Sequence, residues 1–117
     1  MQQLDVVARL FPLVLSGEKT STIRWREARI APGFMTYLCE GEPEKRAVVW
    51  VTRCTDMPLS EVAAFLDKRD EWPDDVMLEG MRAHYPEIAP SDVVQVVEHL
   101  SPDETLRLKG PPAEAKS

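Results

Sequence analysis

Residues 20–26, 34–40 and 46–54 form three strand-like runs, divided only by segments that carry turn residues. Ala31-Pro32-Gly33 and Gly41-Glu42-Pro43-Glu44 supply those turns, so the runs read as consecutive antiparallel strands. Before them, Val6, Val7, Leu10, Leu13 and Val14 share one helical face, which predicts a helix over residues 6–15. Pro12 either sits near its first turn or breaks it, and Gly17 is the C-terminal stop. After the strands, Pro58-Leu59-Ser60-Glu61 opens a helix through Leu66, and Pro73-Asp74-Asp75 opens another through His84, its acidic first turn favoured by the helix dipole. Tyr85-Pro86 ends that helix. Val93, Val94, Val96 and Val97 around Gln95 predict a strong late strand, and residues 105–108 a short last one. This order contains no alternation of strand and helix that would require a parallel sheet. The expected fold is α+β, a small, curled, mostly antiparallel sheet or barrel with helices packed at its openings. Its mouth is then the natural ligand site.

The chain has 117 residues, 44% of them hydrophobic, which suits one domain with a single core. Residues 110–117 read as a disordered tail, leaving 1–109 as that domain. Twenty acidic residues against 14 basic ones give a formal charge of -6, so the surface as a whole repels a phosphate backbone. A small neutral ligand fits this balance better than long nucleic acid. A local patch of Lys19, Arg24, Arg26, Arg29, Lys45, Arg46 and Arg53 keeps contact with an RNA strand open. No segment approaches the ~20 apolar residues needed to cross a bilayer, and the start of the chain lacks a signal-peptide pattern. A cytoplasmic monomer without membrane contact is expected. Cys39 and Cys54 match neither a zinc spacing nor a redox pair and read as buried free thiols. His84 and His99 lack the paired spacing of a metal site, so neither metal nor cofactor is expected.

The stretch over residues 16–24 carries the chemistry. It places a lysine, three hydroxyls and an arginine after the helix-ending Gly17. If residues 20–24 are extended, Thr20, Thr22 and Arg24 share one face while Ser21, Ile23 and Trp25 share the other. The Ile23 and Trp25 side buries itself. The opposite row can line a pocket with Lys19 at its mouth. Taken singly, Lys19 reads as a solvated turn lysine, Thr20 and Thr22 as ordinary strand residues, and Arg24 as the partner of an acidic neighbour. The combination has few structural motives.

The pattern Gly17-x-Lys19-Thr20-x-Thr22-x-Arg24 resembles the signature of the ASCH domain. The likeness covers roughly residues 6–100, since Pro32-Gly33 before a strand, the helix ending at Tyr85-Pro86 and the closing strand fall in that family's order. The resemblance implies a PUA-like β-barrel. Within the family the chain is most similar to short bacterial enzymes that hydrolyse N4-acetylcytidine to cytidine and acetate. It implies a threonine, a lysine and a glutamate as working groups: Thr22, Lys19 and, by position before the last helix, Glu71, with Asp70 as the alternative. The substrate would be a modified nucleoside; the other reading is an ASCH module that binds or cleaves RNA.

Amide hydrolysis needs a nucleophile, a group to take and return its proton, and something to hold the oxyanion. Thr22 is placed to attack the acyl carbonyl, or to position a water that does. Neutral Lys19 is the candidate base, its charged form disfavoured by partial burial and by Arg24. Glu71 either handles the leaving amine or orients Lys19. Arg24 suits the cytosine carbonyl or the oxyanion. Trp72, in a polar loop beside Glu71, is the stacking candidate; Trp25 and Trp50 are left to the core.

Overall fold

The computed structural model describes residues 1–109, and the expected tail lies outside them. The fold is α+β. Along the chain run β1 (Gln2–Val6), α1 (Phe11–Ser16), β2 (Ser21–Arg24), β3 (Gly33–Cys39), β4 (Glu42–Pro58), α2 (Leu59–Phe65), α3 (Asp74–Arg82), β5 (Val93–His99) and α4 (Pro102–Lys109). The strands form one mixed sheet in the order β1-β3-β4-β5-β2. β1 pairs with β3 in parallel, from Gln2 opposite Met35 to Val6 opposite Cys39. β3 pairs with β4 antiparallel, with Phe34 opposite Trp50 and Tyr37 opposite Ala47, and the register shifts at Leu38/Cys39. No helix among the described residues is long and apolar enough to cross a membrane.

Four elements depart from the sequence reading, each for a physical reason. The helix expected over residues 6–15 splits. Leu4 and Val6 are buried while Gln3 and Asp5 are exposed, the period of two that makes β1 a strand. Pro12 tolerates only a helix's first turn, so α1 begins at Phe11. The sheet is mixed because the chain between β1 and β3 holds α1, which gives a parallel pair its crossover. β2 is not β3's neighbour: β1 and β4 occupy both edges of β3, and β2 lies beside β5. Finally, residues 105–108 belong to α4, not to a strand. Ser101 and Glu104 form a capping box, Ser101 Oγ accepting from the Glu104 N–H at 3.1 Å and Glu104 Oε1 accepting from the Ser101 N–H at 2.9 Å. Pro102 at the helix start and Asp103 in the first turn reinforce it. The hydrogen bonds from Ser101 hold the Glu104 carboxyl below its usual range.

Packing divides the described chain into two compact units. The first comprises Met1–Thr22, Ile30–Cys54 and the described residues from Val97 on; the second comprises Ile23–Arg29 and Thr55–Val96. In the first, Val14, Met35, Tyr37, Val49, Val51 and Val97 have no exposed surface, and Cys39 is buried among them. Each such aliphatic side chain contributes roughly 1.5–3 kcal/mol by leaving water. Thr105 joins them by satisfying its hydroxyl twice, accepting from the Trp50 N–H at 2.9 Å and donating to the Ser101 carbonyl at 2.8 Å. Trp50 stacks edge-on against Phe34, ring centroids 4.8 Å apart. In the second unit Leu59, Val62, Ile88, Val94 and Val96 form the core, with Ile23 and Trp25 packed against it.

Gly17 sets the path into β2. Its φ of 86° is left-handed, its N–H caps α1 on the Val14 carbonyl, and a Cβ there would lie 3.2 Å from Ser101 Cβ. The Lys19 N–H then donates to the Leu13 carbonyl at 2.9 Å. Gly17→Ala is expected to cost about 1–2 kcal/mol in urea denaturation, because it meets both the left-handed penalty and a close neighbour; an unchanged midpoint would refute this account of the turn.

Candidate functional site

Within the first unit, the turn after Gly17 and the start of β2 carry Lys19, Thr20 and Thr22. Lys19 is half-buried, and its ammonium donates to the Ser21 carbonyl at 2.7 Å. Thr22 is buried, at 5% exposure. Thr20 falls outside the strand and is exposed; its carbonyl accepts the His99 N–H at 2.9 Å. The alternation of a strand therefore separates Thr22 from Ser21, but Thr20 takes no part in a buried row.

That backbone bond leads to a pair the sequence reading passed over. Tyr37 is fully buried and His99 is 4% exposed. His99 Nδ1 stands 2.8 Å from the Leu100 carbonyl, which can only accept, so Nδ1 carries the proton. Burial favours the uncharged ring, in which Nε2 accepts from the Tyr37 hydroxyl at 2.8 Å. This tautomer is the neutral imidazole. Burial lowers the His99 pKa, the Leu100 carbonyl works against that shift, and the Lys19 charge adds to it. The only hint in the sequence is that a polar residue closes a strand whose preceding residues are mostly apolar and buried.

Within the second unit, Arg24 is an ion-paired residue: its guanidinium meets Glu27 at 3.3 Å, with only 12% of its side chain exposed. Arg26, at a left-handed φ of 56°, turns the chain between them. Glu27 also accepts a short hydrogen bond from the Tyr85 hydroxyl. Burial first, then that bond and the Glu27 charge, push the Tyr85 hydroxyl up to about 12, so it remains a donor. Trp25 packs edge-on against Tyr85 at 5.9 Å.

Glu71 and Asp70 lie in the same unit and are exposed. Glu71 pairs with Lys68 at 3.1 Å, its side chain 64% exposed. Trp72 is half-buried, its N–H donating to the Lys68 carbonyl at 2.7 Å and the Lys68 ammonium lying 5.8 Å from its ring centroid. Among the described residues no group of three or more His, Cys, Asp or Glu is arranged to hold a metal.

No family model matches the chain, and no curated protein matches it. Among solved structures it is similar to protein EF3133 from Enterococcus faecalis V583, whose description gives the family as DUF984. The TM-score is 0.57 at 19% identity, over 86% of this chain and 81% of that one. The likeness is one of fold.

The His99 geometry fixes a pH dependence. Its folded pKa lies below the ordinary value of 6.5, so below that value the unfolded chain binds more protons than the folded one. Stability then rises with pH through the window beneath 6.5 and is lost as pH falls. Thermal melts between pH 7 and pH 5 are expected to show a falling midpoint, with a shallower fall in His99→Gln. Parallel curves for the two proteins would contradict the neutral assignment.

Proposed function

We propose that the chain is an amidohydrolase that removes the acyl group from N4-acetylcytidine and related N4-acylcytidines. The reading starts from the resemblance of residues 17–24 to the ASCH signature and extends it to a PUA-like relationship. The observation that carries it is the pairing, in one turn and strand, of a half-buried lysine tethered through its ammonium with a buried threonine. Tethering to a carbonyl fixes the direction of the lysine nitrogen, and burial keeps bulk water from competing with the threonine hydroxyl.

In this mechanism Lys19 takes the proton of Thr22 as Oγ attacks the acyl carbonyl. The tetrahedral intermediate collapses as N4 receives that proton, releasing cytidine and leaving an ester on Thr22. Water, deprotonated by the same lysine, then attacks the ester carbonyl; as the bond to Oγ breaks, the lysine returns that proton to Thr22, and the acid released ionises to the carboxylate. Thr22 holding an attacking water gives the same products without the ester. Glu71 enters on the resemblance, as the acid that serves the leaving amine or the group that orients Lys19. Arg24 and Trp72 are assigned to the pyrimidine, through a guanidinium contact and ring stacking. Thr20, expected in the row that contacts substrate, is exposed and lies outside β2; its carbonyl, bonded to the His99 N–H, fixes the turn.

Incubation with N4-acetylcytidine, followed by ultraviolet absorbance and chromatography of cytidine, tests this directly. Lys19→Ala and Thr22→Ala are expected to fold and to lose at least about 10²-fold in kcat/KM, with Thr22→Ser retaining more than Thr22→Ala. Activity that survives both alanine changes would remove these residues from the chemistry. Absence of turnover, with RNA affinity that falls steeply as salt rises, would instead favour an RNA-binding module.

A further inference from the structure

A cleft of about 260 Å³ opens in the second unit, lined by Arg24, Arg26, Glu27, Arg29, Asp56 and Gln95, with two valines completing its wall. Its charge is unlike that of the chain. Acidic residues outnumber basic ones in the sequence as a whole, yet here three guanidiniums face two carboxylates.

The carboxylates are already engaged. Glu27 accepts from both Arg24 and the Tyr85 hydroxyl, and Asp56 meets Arg29 at 2.5 Å. Arg26 differs from the other two arginines. Among the described residues it forms no ion pair; its guanidinium carbon lies 4.1 Å from the centroid of the Trp25 ring instead. A guanidinium held over an aromatic face by cation–π attraction needs no carboxylate to fix it and keeps N–H groups that an oxyanion can take two at once. The left-handed backbone at Arg26 is uncommon for a residue with a Cβ, and such conformations gather where a side chain has to be presented in one direction.

We propose that this cleft binds the phosphate group of a small phosphate monoester, with Arg26 as its principal ligand and Arg29 contributing charge. The cleft's volume lies just under the range of ordinary small-molecule pockets, which suits one phosphate and the start of the group it esterifies. The buried Gln95 amide, donating to the Ala28 carbonyl at 3.3 Å, steadies the loop that follows Arg26. Because Arg24 lines this cleft and is also assigned to the pyrimidine, the phosphate site rests in part on the hydrolase reading; binding is read by calorimetry and turnover by cytidine release, so the failure of each is distinguishable.

The test is calorimetric titration at low salt with cytidine 5′-monophosphate, cytidine and inorganic phosphate. The monophosphate is expected to bind saturably and at least about tenfold more tightly than cytidine, with inorganic phosphate competing. Arg26→Asn removes the charge while keeping a side chain that tolerates positive φ, so the fold survives; it should weaken monophosphate binding about tenfold and leave cytidine unaffected. Arg29→Ala should weaken it less, and Lys45→Ala, at an exposed ion pair with Glu42, not at all. Equal affinity for monophosphate and cytidine, absence of monophosphate binding, or an Arg26→Asn variant that binds like the wild type would each overturn the proposal.

Discussion

A tyrosine with no exposed surface has to find a partner for its hydroxyl, and the first unit is arranged around that requirement. Tyr37 lies on β3, the strand flanked by β1 and β4, where its ring is enclosed by the core. Leaving the hydroxyl unpaired there would cost roughly 1–3 kcal/mol. His99 accepts it and in turn must find an acceptor for its own Nδ1 proton, which the next residue's carbonyl provides. The main chain of His99 is bonded to Thr20, so the same histidine that completes the core also ties down the turn that carries Lys19. Core and candidate site are thus coupled through one residue, and burial favours the neutral state of its ring.

What was legible in the sequence follows from how local each signal is. β3, β5, α2 and α3 rest on short-range patterns, such as valines bounded by turns or acidic residues after a proline, and they appear where those patterns place them. The N-terminal segment satisfied two periods at once: Val6 fits a helical face with Leu10 and Val14, and equally a strand with Leu4. Pro12 contained the answer, because a helix through residue 15 that began at Val6 would have put it too deep. The helix at residues 102–109 was announced by Ser101-Pro102-Asp103-Glu104, a capping box whose meaning outweighs the strand propensity of Thr105 and the leucines behind it. The position of β2 beside β5 had no local signal at all, since it depends on which edges of β3 remain open.

The candidate site divides along the same line. Lys19 and Thr22 were singled out by motif and alternation, and Thr22 is buried. Arg24 has the acidic neighbour that its bland reading anticipated, and the partner is three residues on because Arg26 reverses the chain. Tyr85 and Glu27 are 58 residues apart and could not be paired from the sequence. Glu71 is the residue whose surroundings bear least resemblance to a working carboxylate: it is exposed, in a run of charges, beside Lys68. Ion pairs so exposed contribute little and exchange partners readily, so its pairing with Lys68 is no obstacle to another role.

The bond from Lys19 to the Ser21 carbonyl has a geometric consequence. The Ser21 carbonyl accepts from the Lys19 ammonium at 2.7 Å and so orients its nitrogen. Because that carbonyl belongs to the residue immediately before Thr22, the tether moves with the strand that carries the hydroxyl. The direction of the Lys19 nitrogen is then set by the same stretch of backbone that positions Thr22, which is the preorganisation that the proposed chemistry calls for.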